Sequence, residues 1–381
     1  MKTVRLFHAA LTGAVLTWLL AANLEAAPLS GAGVRAADGV EVDAQGHPFY
    51  ATFSLCAVDR ATGETGVAVT TRVPFVGRAV PWVRAGVGAV ATQSWTIVEY
   101  GRRGLDLLEQ GLDPTAALAE LLADDAGKAL RQLGILDIKG RSAAHTGAEN
   151  GAWAGSRQGA DYTVQGNVLV GPQVVDAVAD HFESTGDLGM PLAERMLLAL
   201  EAGQAQGGDK RWGSLQSAAI RIADPNDSGR GGDHISLAID VGEHERPVAE
   251  MKRIYYRTAG RLGHREFSQI QGSDVVELKR MLHRLGLYRQ GLEAFPEPPK
   301  FDVERGVSRS DPEAFTGGLD AFRKLAREYN QAWAHYDDET MDAVDAFRKA
   351  HGLDHDGNPR GLVDARFVEA LRAAYYERAK E

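Results

Sequence analysis

Ala51-Thr52-Phe53-Ser54-Leu55-Cys56-Ala57-Val58 is the stretch on which the fold turns. It holds no glycine or proline, and its apolar run reads as a strand over Thr52–Val58. Asp59-Arg60-Ala61-Thr62-Gly63-Glu64 follows, punctuated by Asp and Gly as a turn is. Gly66–Thr71 then reads as a second strand. Together the two runs predict a β-hairpin that begins at Thr52.

Downstream of the hairpin, Val80–Val83 and Val87–Gln93 are further strands. Gly86-Val87-Gly88 permits close backbone approach, but no helix start and acidic partner follow at the spacing a dinucleotide site needs. Helices are expected over Gly101–Gln110 and from Asp113-Pro114 onward, a cap residue followed by proline at the first helical position. Gln132–Asp137, Arg141–Thr146 and Tyr162–Leu169 read as strands. Pro172–Glu183 and Pro191–Ala202 carry apolar residues at helical spacing. Ser217–Ile222 and His234–Asp240 close the region as strands around a Gly/Asp-rich loop. This order lacks the regular β-α alternation of a parallel sheet. It predicts an α+β fold: antiparallel sheets covered by helices, one solution being two stacked sheets with a helical layer on each outer face.

Upstream, residues 28–50 show no periodic pattern and read as a linker or pro-segment. Lys2 and Arg5, the apolar Ala9–Ala22 and the small residues up to Ala27 have the order of a signal peptide, cut after Ala26 or Ala27. The expected location is therefore outside the cytoplasm, in the periplasm or cell envelope. Toward the C-terminus, the basic stretch 247–271 reads as a helix and connector, with the connector assigned to 249–271, 291–314 reads as a proline-rich insertion, and 315–336, 338–351 and 364–378 read as helices.

The chain has 381 residues and a formal net charge of −10, which argues against a nucleic-acid partner because phosphate binding needs basic surface. Cys56 is the only cysteine, so no intrachain disulfide forms, and its apolar surroundings mark a buried structural thiol. The histidines and acids show no metal-ligand spacing; Asp224, Asn226, Asp227 and Asp233 do not space like a calcium loop. Neither a metal nor an organic cofactor is expected.

Several strings, in this order, resemble a bacterial domain family of unknown function assigned to the N-terminal-nucleophile hydrolase fold. They are Ala51-Thr52-Phe53-Ser54, Thr62–Val69, Val80-Pro81-Trp82, Ala85–Gln93, Arg131–Ile135, Trp153-Ala154-Gly155 and Gln165–Leu169. The resemblance spans Thr52 to Val248 and implies a four-layer αββα sandwich over residues 52–248. It also implies a role for Thr52. A threonine at a chain start can be its own catalyst, its α-amine taking the hydroxyl proton as the oxygen attacks a carbonyl. That amine has a reference pKa of about 7.7–8.0. Here Thr52 lies inside the chain, so a second cut at Ala51–Thr52 is required. Two readings of Thr52 stand: such a nucleophile, or an ordinary strand threonine at a domain start. Arg72, Gln93 and Asn167 fall at strand ends, where a cation and two side-chain amides could stabilise an oxyanion. Ser54 shares a strand face with Thr52 and is a weaker nucleophile candidate.

A second set of strings resembles the three-helix peptidoglycan-binding-like fold, assigned to residues 272–378. It comprises Gly272–Lys279, Leu285–Tyr288, Tyr336–Thr340, Ala343–Lys349, His351-Gly352-Leu353 and Gly361–Asp364. Asp274 and Asp338 are read as helix caps, and Tyr288, Trp333 and Tyr336 as core aromatics that could alternatively stack on sugar. The expected function is an exported amide hydrolase held at peptidoglycan or another wall polymer by its C-terminal region. The alternative is a non-catalytic envelope protein using both regions as binding scaffold.

Overall fold

The computed structural model describes residues 51–151, 153–208, 216–226, 234–258, 272–288, 319–355 and 357–378, with two short strands, β1 (Val34–Arg35) and β2 (Glu41–Val42). The chain divides into two units, Met1–Ala32 and Gly33–Glu381, and every described residue lies in the second. The signal peptide, the 291–314 insertion, Asp227 and Asp233 fall outside the described residues. β1 and β2 pair antiparallel within the stretch read as an aperiodic linker; two-residue strands are too short to leave a sequence pattern.

The fold is mixed α/β with two larger antiparallel sheets. The hairpin forms as β3 (Thr52–Asp59) and β4 (Glu64–Thr71). Its turn is held by the Asp59 carboxylate, which accepts from Ala61 N at 2.8 Å, and by Gly63 at φ 76°. Next come β5 (Pro81–Arg84), β6 (Gly88–Ser94), β7 (Arg131–Asp137), β8 (Ser142–Thr146), β9 (Ala154–Gly159), β10 (Tyr162–Asn167), β11 (Gln216–Ala223) and β12 (Ile235–His244). One sheet has the order β12-β11-β4-β3-β10-β9, the other β5-β6-β7-β8.

Alternation along β3 explains why it is apolar throughout. Phe53, Leu55 and Ala57 enter one core with helices α3 (Gln173–Ser184), α4 (Leu192–Ala205) and α5 (Pro247–Thr258). Cys56 and Val58 point the other way and meet Ala89, Ala91 and Leu136 of the second sheet. Each such fully buried large apolar side chain contributes roughly 1.5–3 kcal/mol. Val90, Leu133 and Ile135 form a third core with α1 (Glu99–Glu109) and α2 (Pro114–Leu122). Asp113 caps α2 by accepting from Ala116 N at 2.9 Å, with Pro114 opening the helix.

One strand of the six-stranded sheet departs from the sequence reading. Strand β9 went unread because Gly155-Ser156-Arg157-Gln158-Gly159 has no apolar alternation; as an edge strand it pairs only with β10. Helix α5 forms at the start of the stretch read as a helix and connector, and its Met251, Tyr255 and Tyr256 bury in the core of the six-stranded sheet.

The C-terminal helices are α6 (Ser273–Arg284), α7 (Leu319–Trp333), α8 (Asp338–Ala350) and α9 (Ala365–Arg378). Leu278, Leu282, Val344, Phe347, Phe367 and Leu371 form their core. Tyr288 is buried in it, and Trp333 and Tyr336 pack against it. The caps are displaced from expectation. Asp337, not Asp338, caps α8 by accepting from Thr340 N at 2.9 Å. Asp274 lies in the first turn of α6 behind Gly272, where a carboxylate favours the positive helix end without capping it. No helix among the described residues is long and apolar enough to cross a membrane.

Candidate functional site

The start of β3 meets the ends of β4, β6 and β10 and the start of β7 at one end of the paired sheets. Thr52 stands opposite Thr71 on β4 and opposite Asn167 on β10. It is 5% exposed. The Thr52 and Thr71 hydroxyl oxygens are 2.8 Å apart. Thr71 donates its proton to the carbonyl oxygen of Ala51 at 3.0 Å, so the Thr52 hydroxyl donates to Thr71. The same carbonyl accepts from Arg72 N at 3.1 Å. Two donors therefore converge on the carbonyl of the Ala51–Thr52 peptide bond, next to a hydroxyl. The Arg72 side chain is buried at this end; its main chain, rather than its guanidinium, touches Ala51.

Behind Thr52 lies a buried amide network. Gln132 Oε1 accepts from Gln93 Nε2 at 2.8 Å and from Asn167 Nδ2 at 2.9 Å. Gln132 Nε2 donates to Gly166 O at 2.8 Å and to Thr146 Oγ1 at 3.0 Å. Ser54 donates to Gln93 Oε1 at 2.6 Å and accepts from Gln165 Nε2 at 2.5 Å. Gln93 also reaches Gln165 O at 3.4 Å. Its amide protons are thus both directed into the network. Asn167 gives one amide proton to Gln132 and is the cross-strand neighbour of Thr52. Ser54 is fully buried with its proton committed to Gln93.

The structure thus brings Thr52, Gln93 and Asn167 to one end, the two amides joined through Gln132, with Arg72 against the preceding carbonyl. Gln132 and Gln165 belong to this network without standing out in the sequence. The available signal was a glutamine at an inward position of an apolar strand, since a buried amide requires partners.

The backbone is strained at this end. Ser94, directly after Gln93, has φ 68°, and Val168, directly after Asn167, has φ 53°. Such conformations cost roughly 1–3 kcal/mol each and gather at functional sites; a β-branched residue at positive φ is a clear outlier.

Cys56 lies deeper on the same face. Burial pushes its thiol up to about 12, and it contacts Gly134 O at 3.7 Å, so it is structural. Among the described residues no group of three or more His, Cys, Asp and Glu side chains could hold a metal ion.

Compared with known families, residues 52–251 match a family of unknown function, DUF1028, over more than half of the 381 residues. The chain belongs to the DUF1028 family. Among solved structures, the DUF1028 region is similar to protein SPO2555 from Silicibacter pomeroyi, itself placed in DUF1028. Identity is 28%, covering 55% of this chain and 89% of that one, with a TM-score of 0.49. No curated protein matches.

Proposed function

We propose that the DUF1028 region is an αββα sandwich of the N-terminal-nucleophile type and hydrolyses an amide through Thr52, after the chain is cut at Ala51–Thr52. The observation that carries this reading is the geometry at that bond: the Ala51 carbonyl accepts from Thr71 Oγ1 and Arg72 N, and Thr52 Oγ1 lies 2.8 Å from the Thr71 hydroxyl. Two donors on a carbonyl oxygen stabilise the negative charge that develops there on attack.

In the cut, Thr52 Oγ1 attacks the Ala51 carbonyl carbon, its proton passes to Thr71 Oγ1, and the Thr71 proton passes to the Ala51 oxygen that it already bonds. The Ala51–Thr52 carbon–nitrogen bond then breaks as the ester carbonyl re-forms, and the departing nitrogen takes the proton from that oxygen. Water hydrolyses the resulting ester, which releases the upstream segment as a carboxylate and leaves Thr52 with a free amine and hydroxyl. In turnover that amine takes the hydroxyl proton as Oγ1 attacks the substrate carbonyl. The leaving amine receives the proton, and water cleaves the acyl-threonine ester. Once the upstream residues leave, the donors on Ala51 O are available to the substrate oxyanion. Gln93 acts from behind, through Gln132, as a positioning residue.

The signal-like N-terminus and the resemblance of residues 272–378 to peptidoglycan-binding modules support export and attachment to the cell wall. The test of the catalytic reading is an amidase screen of the purified chain beside Thr52→Ala and Thr52→Ser. We expect loss of turnover in the first and partial retention in the second. Equal activity in Thr52→Ala removes this residue from the chemistry.

A further inference from the structure

The bond to be cut already carries an acyl group, that of Ala51. In the self-cleavage proposed above, the Ala51 carbonyl carbon passes from the Thr52 nitrogen to Thr52 Oγ1, and water then releases it as a carboxylate. A substrate passes through an ester on the same oxygen and is released by water in the same way. The residue before Thr52 is therefore the first acyl group that the site handles, and its surroundings bear on which others it takes.

Ala51 has no exposed surface, and it belongs to the core that also holds Phe53, Leu169, Val174 and Val178. Its carbonyl oxygen takes both donors, Thr71 Oγ1 at 3.0 Å and Arg72 N at 3.1 Å. Around Phe53, the next residue of β3 on this face, strand and helix backbones sit at the contact limit. A Cβ on Gly203 of α4 would lie 3.0 Å from the Phe53 ring and 2.6 Å from Val178, and one on Gly166 of β10 would lie 3.2 Å from Phe53 Cβ. The core that receives the Ala51 methyl group is thus filled, and a filled core resists added volume. From the Ala51 nitrogen the chain runs on to Tyr50, so an acylated α-nitrogen is part of the group that is held.

We propose that the place Ala51 vacates is the acyl subsite, and that the substrate is a peptide-type amide whose acyl residue is small and of L configuration, N-acylated L-alanyl above all. This rests on the hydrolase reading above and names its substrate class. Before the cut, Ala51 fills the subsite, so the upstream segment is at once the first substrate and the group that blocks the site. After it, an L-alanyl residue puts its methyl group into the same core while its carbonyl oxygen meets Thr71 Oγ1 and Arg72 N. A D-alanyl residue exchanges methyl and hydrogen at the α-carbon and turns its methyl away from that core. A phenylalanyl side chain exceeds the volume that one methyl group leaves.

The experiment compares acetyl-L-alanyl-p-nitroanilide with its D-alanyl and L-phenylalanyl analogues as substrates of the protein purified from its own host. Acetyl-L-alanine and acetyl-L-phenylalanine are titrated in parallel by NMR into wild type and into Thr52→Ala, which keeps Ala51 in place. We expect kcat/KM for the L-alanyl compound to exceed that for either analogue at least roughly tenfold. Acetyl-L-alanine should bind wild type more tightly than acetyl-L-phenylalanine and lose that advantage in Thr52→Ala, where its place is filled. Hydrolysis without the L-alanyl preference, or acetyl-L-alanine binding that is undiminished in Thr52→Ala, overturns the subsite and leaves the hydrolase reading intact. Preferential acetyl-L-alanine binding that Thr52→Ala abolishes, without hydrolysis of any compound, supports the subsite and counts against the hydrolase. Neither binding nor hydrolysis overturns both.

Discussion

Thr71 couples the candidate nucleophile to the bond that must break. Its hydroxyl is at once the acceptor for Thr52 and a donor to Ala51 O. Thr71→Val keeps the shape and removes both bonds. The rate at which chains starting at Thr52 accumulate should fall on the order of a hundredfold, as when one oxyanion donor is lost, with Thr71→Ser restoring it. Mass spectrometry of freshly expressed protein over time reads this directly. Gln132 has a different kind of importance. Gln132→Leu would leave the Gln93 and Asn167 amides and the Gly166 carbonyl buried and unmatched, at roughly 1–3 kcal/mol per group. Urea unfolding should show a clear loss of stability, larger than in Thr71→Val, which leaves the Thr52 hydroxyl and Val73 N without their Thr71 partner.

Among the elements, the loop from β6 into α1, where the Arg131 guanidinium donates to Trp95 O at 2.8 Å, depends on a half-buried carboxylate elsewhere in the chain. The Arg131 guanidinium beside Asp125 lowers that carboxyl from its ordinary 3.8 to about 2, with further bonds from Gly127 N and the Tyr100 hydroxyl. A folded-state pKa below the unfolded value gives stabilisation that is present above 3.8 and is lost as pH falls through about 2. Acid titration followed by near-ultraviolet circular dichroism should show the Trp95 loop loosening in that window, and Asp125→Asn should abolish the dependence. Helix α1 makes a second demand. A Cβ on Gly101 would lie 2.1 Å from the Trp82 ring, so Gly101→Ala should lower stability by roughly 1–3 kcal/mol through overpacking.

The same elements show what the sequence could and could not convey. Strands such as β3 and helices such as α3 were legible because burial on a fixed face imposes a period on their apolar residues. Thr52 and Asn167 were legible as strand ends, and the structure makes them cross-strand neighbours. The hub Gln132 was not, because its meaning depends on which strands lie across the gap between the sheets, information that no local pattern carries. Strand β9 has no apolar alternation to read, and the cap at Asp337 differs for a smaller reason: cap geometry can move by one residue without altering the hydrophobic pattern.

At the scale of the whole molecule, the last helix is fastened to the body by a buried charge. Glu194 on α4 is almost fully buried and pairs with Arg372 of α9. It also accepts from the Tyr256 hydroxyl at 2.5 Å, and the Arg372 guanidinium lies 5.0 Å from the Tyr256 ring centre. Arg372→Met strands the Glu194 charge and should cost about 3–5 kcal/mol, whereas the pair Glu194→Gln with Arg372→Met should cost far less. Thermal unfolding of the two single variants and the double one measures this coupling. The C-terminal helices therefore meet the DUF1028 region at a specific, desolvated contact rather than only through the chain that joins them.

The proposed chemistry needs the nitrogen of Thr52 to be free. The most direct measurement is the intact mass, with N-terminal sequencing, of the catalytically active fraction purified from its own host. The active polypeptide is expected to begin at Thr52. An active fraction that still carries Ala51 and the residues before it would rule out the α-amine of Thr52 as the base.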